Sequence, residues 1–453
     1  MPDHFLIHDD VPDRLDAGLH DEVVALASDL IRADTTNAPG NETRAAELLR
    51  DYLEASGVEC ELVARVPERA NLVARLRGTG DGPSLAFVGH TDVVPADAQD
   101  WTYPPFEAVV DDEGYLYGRG AVDMKNEVAA RAVALARLAR EGFRPRGDLW
   151  LIAVADEEDG MNDVGMRWLL QTRPDIRPDY AVNEGGGERL LLADGRTVYT
   201  VCVGENGTYP ARVTAVGEAG HASTPSAGRN AVPLLGELLR RVGGGMPRPQ
   251  RIDLVDRMLE VLVGTADGDL DDLLARASSL HPALEHVLPA LVGTTMAPTV
   301  LDASNKRNVM PARASVELDC RILPGTTEAD VEAEVRARLG DDIAYELGWP
   351  EHLVAGSSSE ATGPLMDAVR AFLDEDGDDA LLLPVLGTGF TDSVYLRAAC
   401  GTQAYGFSPY RHTPAEVVEA GYHNADERVH VDDLALSVRF HMDLARRLLG
   451  GDR

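Results

Sequence analysis

The sequence predicts an α/β fold: a main domain on a mostly parallel sheet with helices on both faces, plus a smaller inserted α+β domain. Apolar runs alternate with amphipathic segments from the first helix to residue 182, which is typical of strands joined by crossover helices. The runs are continuously apolar, as expected of strands covered on both faces. At 453 residues, the chain is also too long for a single core.

Hydrophobic spacing places the individual elements. Apolar residues recur at helical spacing from Val23 to Ile31, which predicts the first helix. Helices are predicted over 21–31, 42–56, 127–140, 362–374 and 432–449, and buried strands over 85–88, 149–155 and 180–182. Alternating small apolar and polar residues between Tyr209 and Val216 predict a half-buried strand.

The order of these elements predicts a discontinuous main domain. Residues 1–200 and 350–453 are assigned to it, and 201–349 to an inserted lid with an antiparallel sheet and helices on one face. The lid contains an added, mostly helical and acidic stretch over 242–300.

Composition excludes several classes of protein. The net charge of −34 disfavours binding to nucleic acid or to an anionic membrane, because phosphates would be repelled. No segment reaches the roughly 18 consecutive apolar residues of a membrane span, and Met1 to Asp21 lacks the basic start and apolar core of a signal peptide. Four scattered cysteines without CxxC spacing predict reduced thiols and a cytoplasmic protein. The acidity with few lysines fits either salt adaptation or a GC-rich coding sequence.

The segment after the strand at 85–88 predicts a metal site. His90 and Asp92 are two residues apart, so the Asp92 carboxylate can accept one ring N–H of His90 and leave the other nitrogen for a metal. Asp123 follows in a glycine-flanked turn, where its carboxylate can be aimed at a shared metal pair. For the His–Asp pair alone a purely structural contact is favoured, and Asp123 shifts the balance to a metal site.

Acidic residues follow two further buried strands. The run Asp156 to Asp159 comes directly after the strand at 149–155, and Glu184 follows the strand at 180–182. Adjacent carboxylates at a strand mouth repel one another, so a cation is expected nearby. Ligand-binding loops of open α/β sheets lie at such strand ends, although acidic clusters elsewhere are usually solvated faces. His423 adds a second imidazole.

With these motifs in place, the chain resembles the co-catalytic zinc metallopeptidase family of aminoacylase, succinyl-diaminopimelate desuccinylase, acetylornithine deacetylase and carboxypeptidase G. The matching blocks run in family order from about Asp34 to Val431. Besides those above they are Gly204-Glu205-Asn206-Gly207, Gly220-His221-Ala222-Ser223-Thr224-Pro225, Asn308-Val309-Met310-Pro311 and Asp319-Cys320-Arg321.

The resemblance implies a centre of two divalent cations, zinc in the first place and cobalt or manganese as alternatives. It assigns His90 and Glu184 to one cation, Glu158 and His423 to the other, and Asp123 to both. Glu157 would be the general base, and the weaker alternative is that it is only a loop carboxylate.

Further residues are assigned by the resemblance to the reacting carbonyl and to the far end of the substrate. His221 would stabilise the oxyanion, in dimeric members at the partner subunit's site, and its alternative is a turn histidine. Asn308 and Arg321 would hold a carbonyl or a carboxylate, whereas Arg321 is equally expected to pair with Asp319. Backbone N–H groups of the loop at Gly387 and Thr388 would cradle a carboxylate. Thr391 or Asp392 is also expected to cap the following helix.

Family members with glutamate at the position of Glu184 tend to be deacylases or carboxypeptidases, whereas aminopeptidase members more often have aspartate. The expected reaction is therefore hydrolysis of an amide bond of an N-acyl amino acid or short peptide beside a free carboxylate. A dipeptidase or aminopeptidase of the same family is the alternative, and a non-catalytic ligand-binding protein ranks behind both. The resemblance also implies a homodimer through the lid, which the added 242–300 stretch puts in question.

Overall fold

The computed structural model describes residues 17–160, 162–243 and 247–451. The residues before 17, which include most of the segment examined for a signal peptide, lie outside this range. The helices are α1 (Ala17–Arg32), α2 (Thr43–Glu54), α3 (Lys125–Arg140), α4 (Met166–Thr172), α5 (Ala231–Gly243), α6 (Asp253–Val263), α7 (Leu270–Ser278), α8 (Pro282–Leu291), α9 (Glu328–Leu339), α10 (Pro364–Glu375), α11 (Ser393–Cys400), α12 (Ala415–Gly421) and α13 (Val431–Leu449).

The strands complete the order of elements along the chain. They are β1 (Glu59–Ala64), β2 (Ala70–Leu76), β3 (Leu85–His90), β4 (Val109–Val110), β5 (Tyr115–Tyr117), β6 (Leu149–Val154), β7 (Tyr180–Asn183), β8 (Arg189–Leu191), β9 (Thr197–Glu205), β10 (Gly207–Thr208), β11 (Ala211–Val216), β12 (Gly220–His221), β13 (Thr295–Asp302), β14 (Val309–Met310), β15 (Arg313–Ile322), β16 (Tyr345–Gly348), β17 (Ser357–Ser358), β18 (Leu381–Gly387), β19 (Gln403–Gly406) and β20 (Arg428–His430).

The main sheet confirms the predicted α/β fold class. Its ten strands follow the order β1-β2-β6-β3-β7-β19-β9-β17, with β8 and β18 also paired to β9. The central run from β6 through β3 and β7 to β19 is parallel, and antiparallel pairs join it at both sides. This arrangement places the carboxyl ends of the central strands at one edge of the sheet.

Both faces of the main sheet are covered by helices. Side chains of β3 alternate between them: Leu85 and Phe87 join the core formed with α1, α2, α3, α10 and α13, whereas Ala86 and Val88 join the core formed with α4 and α11. Alternation with period two explains why a continuously apolar strand is stable here, since each face needs its own apolar set. Among the described helices, none combines the length and the apolar character needed to cross a bilayer.

A second, antiparallel sheet lies within the predicted lid. β11 pairs with β15 and β16, and β13 and β10 pair with β15. The predicted alternation holds, because Ala211, Val213 and Ala215 are buried with α5 and α9 in one core. β9 runs through the predicted boundary at 201 and stays in the main sheet as far as Glu205. The domain boundaries themselves remain a prediction.

The added helical stretch packs differently from its expected place in the lid. Apolar side chains of α6, α7 and α8 form a core with β8, β9 and β18 of the main sheet, for example Leu259 with Leu383 and Leu386. These helices therefore belong by packing to the main sheet, although they lie inside the lid in sequence. The lid sheet is left without them.

Candidate active site

Three loops meet because they follow neighbouring parallel strands. His90 is the last residue of β3, and Glu184 directly follows β7. Glu157 and Glu158 come shortly after β6, the strand on the other side of β3. Since the carboxyl ends of parallel strands lie at the same edge, these side chains are delivered to one place.

Asp123 lies at the centre of the resulting cluster. Its Oδ1 is 3.0 Å from Nε2 of His90, and its Oδ2 is 3.3 Å from Nε2 of His423. Nε2 of His90 is also 3.3 Å from Oε2 of Glu184. Nε2 of His423 is 2.9 Å from Oε2 of Glu158. The structure thus brings the five ligands expected from sequence together, in two halves that share Asp123.

The donor set fits divalent cations. Imidazole nitrogen and carboxylate oxygen are the ligands that zinc takes in catalytic sites. Oε1 of Glu184 is buried and has no hydrogen-bond partner in the described part of the chain, which leaves it for a cation. Ligand atoms of His90, Asp123 and Glu158 all lie within 4.8 Å of one another.

The electrostatics of the cluster favour bound positive charge. Burial by itself would lower the pKa of His90, but the carboxylates of Glu184, Asp123 and Asp92 outweigh it and raise that pKa well above its ordinary value. Hydrogen bonds with Asp123 and Glu158 raise the pKa of His423 to about 10. The carboxylates therefore hold positive charge on both imidazoles, and cations can supply that charge instead.

The cluster opens to solvent on one side. The side chain of His90 is 1% exposed and that of His423 is 57% exposed. The carboxylates of Asp123, Glu158 and Glu184 lie between these extremes. A substrate would therefore approach from the His423 side.

Asp92 fixes His90 in a way that differs in detail from the expectation. Nδ1 of His90 lies 3.0 Å from the backbone carbonyl of Asp92, and the Asp92 carboxylate is farther away, at 3.6 Å. A carbonyl oxygen can only accept, so Nδ1 carries the proton and Nε2 faces the cluster. The sequence analysis expected the Asp92 carboxylate to be the acceptor, whereas the nearer acceptor in the structure is the Asp92 backbone carbonyl.

The Asp92 carboxylate instead holds the acidic loop after β6. Its oxygens accept hydrogen bonds from the backbone N–H groups of Glu157 at 3.2 Å and Glu158 at 3.3 Å, and from Asn37 at 2.9 Å. The first acid of the loop, Asp156, is balanced separately by Arg69 at 3.2 Å. Asp92 therefore fixes the backbone from which both glutamates project.

Glu157 lies beside the half of the cluster formed by His90 and Glu184. Ligand-type atoms of these three residues lie within 4.8 Å of one another. Burial raises the pKa of Glu157 well above its ordinary value, and the charge of Glu184 adds to the effect. Glu157 is half-buried at the cluster and makes no salt bridge within the described residues. A carboxylate in such a place is suited to carry a proton.

Glu427 is a functional candidate that the sequence did not single out. Its Oε1 accepts the backbone N–H groups of Val122 at 2.7 Å and Asp123 at 2.9 Å. Its Oε2 accepts from Gly120 at 3.0 Å and from the Arg119 guanidinium at 2.8 Å. One fully buried carboxylate thus holds the turn that carries Asp123, and it belongs to the segment that carries His423.

Replacing Glu427 with glutamine should destabilise the protein and weaken metal binding. The amide would present a donor to N–H groups and leave Arg119 buried without its charge partner, which typically costs about 3–5 kcal/mol. Loss of support behind a ligand typically lowers metal affinity by about 10–100-fold. Denaturant unfolding and a zinc-indicator competition would measure the two effects. The exposed Glu419→Gln is the matched control, and unchanged stability and affinity in Glu427→Gln would contradict this role.

Arg131 is a second such residue, and it joins the strand ends that carry ligands. It is fully buried on α3 and donates hydrogen bonds to the carbonyl oxygens of Val88 and, at 2.9 Å, Asn183. Val88 is two residues before His90, and Asn183 directly precedes Glu184. Arg131 also pairs with Glu127 on its own helix. It therefore ties β3 and β7 to the helix that follows Asp123.

His221 and Asn308 lie together in a small ribbon outside the cluster. β12 and β14 pair His221 with Val309, and the N–H of Ala222 donates to the Asn308 carbonyl at 3.1 Å. Nδ1 of His221 lies 2.7 Å from the Ser223 hydroxyl and 3.2 Å from the Ser223 backbone nitrogen, and Nε2 makes no hydrogen bond in the described part of the chain. Within the described residues, no hydrogen bond or ion pair links this ribbon to the five candidate ligands around Asp123.

The other substrate candidates are placed without a shared contact. Arg321 pairs with Asp319 at 2.9 Å, the alternative weighed equally from sequence. Gly387 ends β18 and Thr388 is exposed beyond it. Asp392 occupies the N-cap position of α11 but its side chain makes no capping hydrogen bond, and the Thr391 hydroxyl instead accepts the N–H of Ser393 at 3.2 Å.

The fold and the candidate site are those of a metal-dependent amide hydrolase, and comparison with known proteins agrees. The model of peptidase family M20/M25/M40 matches residues 86–447, so the chain belongs to this family.

Curated relatives and solved structures refine the similarity. The chain is 30% identical to succinyl-diaminopimelate desuccinylase of Rhodospirillum centenum over 446 residues, 94% of this chain and 97% of that one. It is 29% identical to aminoacylase-1 of Sus scrofa, covering 90% of each chain. A metallo-carboxypeptidase of the M20 family from Sulfolobus solfataricus superposes with a TM-score of 0.70 at 16% identity, over 94% of this chain and 99% of that one, which shows the shared fold.

Proposed function

We propose that this protein uses two divalent cations, zinc in the first place, to hydrolyse an amide bond beside a free carboxylate in an N-acyl amino acid or short peptide. The convergence of two histidines and two further carboxylates around Asp123, with Glu157 alongside, carries the proposal. The names of the curated relatives, a desuccinylase and an aminoacylase, support a deacylase.

Each residue of the cluster has a task in this proposal. His90 and Glu184 would hold one cation, Glu158 and His423 the other, and Asp123 both, in agreement with the contacts within each half. When bound, such a pair lowers the pKa of water and polarises a carbonyl oxygen. Cobalt and manganese accept the same donor set.

Glu157 would carry the proton during the reaction. It takes the proton from the attacking water and gives it to the amine that leaves, so the carboxylate is regenerated at the end of the cycle. Burial and the charge of Glu184 raise the pKa of Glu157 well above its ordinary value, which favours a group that can hold a proton. Asp92 keeps Glu157 in place through the backbone N–H.

Residues outside the cluster are proposed to bind the substrate. Nε2–H of His221 would donate to the oxyanion, in a homodimer at the partner subunit's site through the lid. The carbonyl and carboxylate groups of the substrate would be held by Asn308, Arg321 and the loop at Gly387 and Thr388. To bind the substrate, Arg321 would have to leave its ion pair with Asp319.

A second candidate function, a dipeptidase, is favoured by one observation. Asp392 is buried beside the site, and its side chain accepts no hydrogen bond within the described residues. Its neighbour Ser393 bonds at 3.2 Å to Asn183, which directly precedes Glu184. A carboxylate in that position would suit the free ammonium group of an unblocked peptide.

A substrate panel with controlled metal content tests both candidates. We expect the metal-depleted protein to be inactive, and added Zn²⁺ or Co²⁺ to restore hydrolysis of N-acyl amino acids but not of substrates whose carboxylate is esterified. A preference for unblocked over N-acylated dipeptides would favour the dipeptidase. Absence of amide hydrolysis across the metal-loaded panel would contradict the proposed function.

A further inference from the structure

A second group of metal-type side chains lies outside the candidate active site. It consists of His412 and His430 with Asp432, whose ligand atoms lie within 4.8 Å of one another. His20 on α1 lies beside this group rather than within it, and its Nε2 is 3.4 Å from Oδ1 of Asp432. All four side chains are partly exposed, so an ion in solution can reach them.

The spacing within this group suits one cation. Tetrahedral zinc with bonds of about 2.0–2.1 Å places its ligand atoms about 3.3 Å apart. Oδ1 of Asp432 is 3.4 Å from His20, and its Oδ2 is 3.5 Å from Nδ1 of His430. The two imidazole nitrogens thus lie near different oxygens of the one carboxylate, each at about the separation that two ligand atoms of one metal would have.

The backbone around the group is held in place. The Asp433 carboxylate accepts the N–H groups of Arg411, His412 and Thr413 at 2.6–2.9 Å. The Thr413 hydroxyl accepts the N–H of His430 at 2.9 Å. Since Asp433 follows Asp432 in α13, the loop that bears His412 is fixed against the helix that bears Asp432. The His412 ring lies against that of His430, with centroids 5.3 Å apart.

One existing contact would be exchanged. Nδ1 of His430 accepts the N–H of Asp432 at 3.2 Å, as the cap of α13. This bond is long, and a cation on Nδ1 would replace it while gaining the Asp432 carboxylate and two further imidazoles. Softer divalent ions with a preference for imidazole, such as Zn²⁺, Ni²⁺ and Co²⁺, match this donor set, whereas Mg²⁺ and Ca²⁺ do not.

We propose that His20, His412, His430 and Asp432 form a peripheral site for one divalent transition-metal ion, separate from the candidate active site. The ion would join α1 to the first turn of α13 and to the loop at His412. Binding to the folded state alone would raise the stability of the protein in proportion to the logarithm of the free metal concentration.

Zinc binding by matched variants of the full chain tests the site. We expect His412→Ala to bind one zinc per chain fewer than the wild type, after dialysis at a fixed free zinc concentration and elemental analysis. The control His286→Ala changes an exposed histidine on α8 and should bind as the wild type does. His20→Gln removes a ligand from another segment and gives a second test should His412→Ala fold poorly.

The same comparison in an Asp123→Ala background separates this site from the catalytic one. Asp123→Ala with His412 intact should still bind one zinc per chain, and added zinc should raise its melting temperature. The double variant with His412→Ala should show neither effect. Equal zinc content with and without His412 in both backgrounds would overturn the proposal, as would an equal loss in His286→Ala. Neither result depends on whether the active site binds metal.

Discussion

Replacing Glu157 with glutamine should lower kcat by about 10²–10⁴-fold while both cations stay bound. Glutamine keeps the shape of the side chain and its place in the loop that Asp92 holds, but it cannot take up a proton from water. The Glu157 carboxylate is expected to act only by taking up and releasing a proton. Its neighbour Glu158, not Glu157, contacts His423, and Asp123 is contacted by the histidines. Turnover on the best panel substrate and metal content by elemental analysis are the two measurements.

Asp159→Asn is the matched control for Glu157→Gln. Asp159 lies two residues farther along the same acidic run, is exposed, and accepts only a 3.3 Å hydrogen bond from Asn162 among its described contacts. It should keep nearly full activity. If Glu157→Gln kept the wild-type kcat, Glu157 would not be the base. If it lost a cation along with activity, Glu157 would belong to the ligand set, as its closeness to His90 and Glu184 permits.

The fold and the clustering of the candidate ligands were predictable because their signals are local. A continuous apolar run that ends in a polar side chain predicts both a buried strand and a residue at its carboxyl end, and His90 and Glu184 satisfy that rule. The glycine-flanked turn at Asp123 carries a similar signal. The candidate ligands then lie close together because the strands that precede them are parallel neighbours, and the carboxyl ends of such strands lie at the same edge of the sheet.

The supporting charges were not predictable by the same means. Glu127 and Arg131 are four residues apart on a helix, a spacing typical of an exposed ion pair, yet both are buried in the core. Glu427 is one of 76 acidic residues, and no local pattern says that it will accept backbone N–H groups from a turn about 300 positions earlier. Such roles depend on which segments meet, and that is decided by tertiary packing.

The same limit explains the helices α6 to α8. Their amphipathic patterns showed that each needs an apolar partner, but not which sheet provides it. They were assigned to the lid because they lie within it along the chain. Their leucines pack instead on β18 and β9, where the main sheet would otherwise expose apolar side chains such as Leu383 and Val198.

Replacing Asp123 with alanine should remove catalysis and most metal binding together. Among the described residues, Asp123 is the candidate ligand whose carboxylate contacts both imidazoles, at 3.0 Å to His90 and 3.3 Å to His423. Loss of its charge weakens both halves of the centre, whereas His423→Ala, which removes a largely exposed ligand, should weaken one half and leave the cation between His90 and Glu184. Metal content per chain, measured in both variants, distinguishes a shared ligand from an ordinary one.

Stability measurements separate this loss from damage to the fold. A ligand that binds only the folded state stabilises it by about 2.7 kcal/mol at a hundredfold excess over Kd. Zinc should therefore raise the melting temperature of the protein but not that of Asp123→Ala, when both carry His412→Ala so that the peripheral site does not contribute. Without metal, the variant should also lose some stability, because, against the effect of burial, His90 and His423 hold the pKa of the Asp123 carboxyl below its ordinary value and these contacts are lost. The change in melting temperature on adding zinc, rather than the melting temperature without metal, therefore reports the loss of metal binding. An equal rise with zinc in the variant and its parent would contradict the role of Asp123 as a shared ligand.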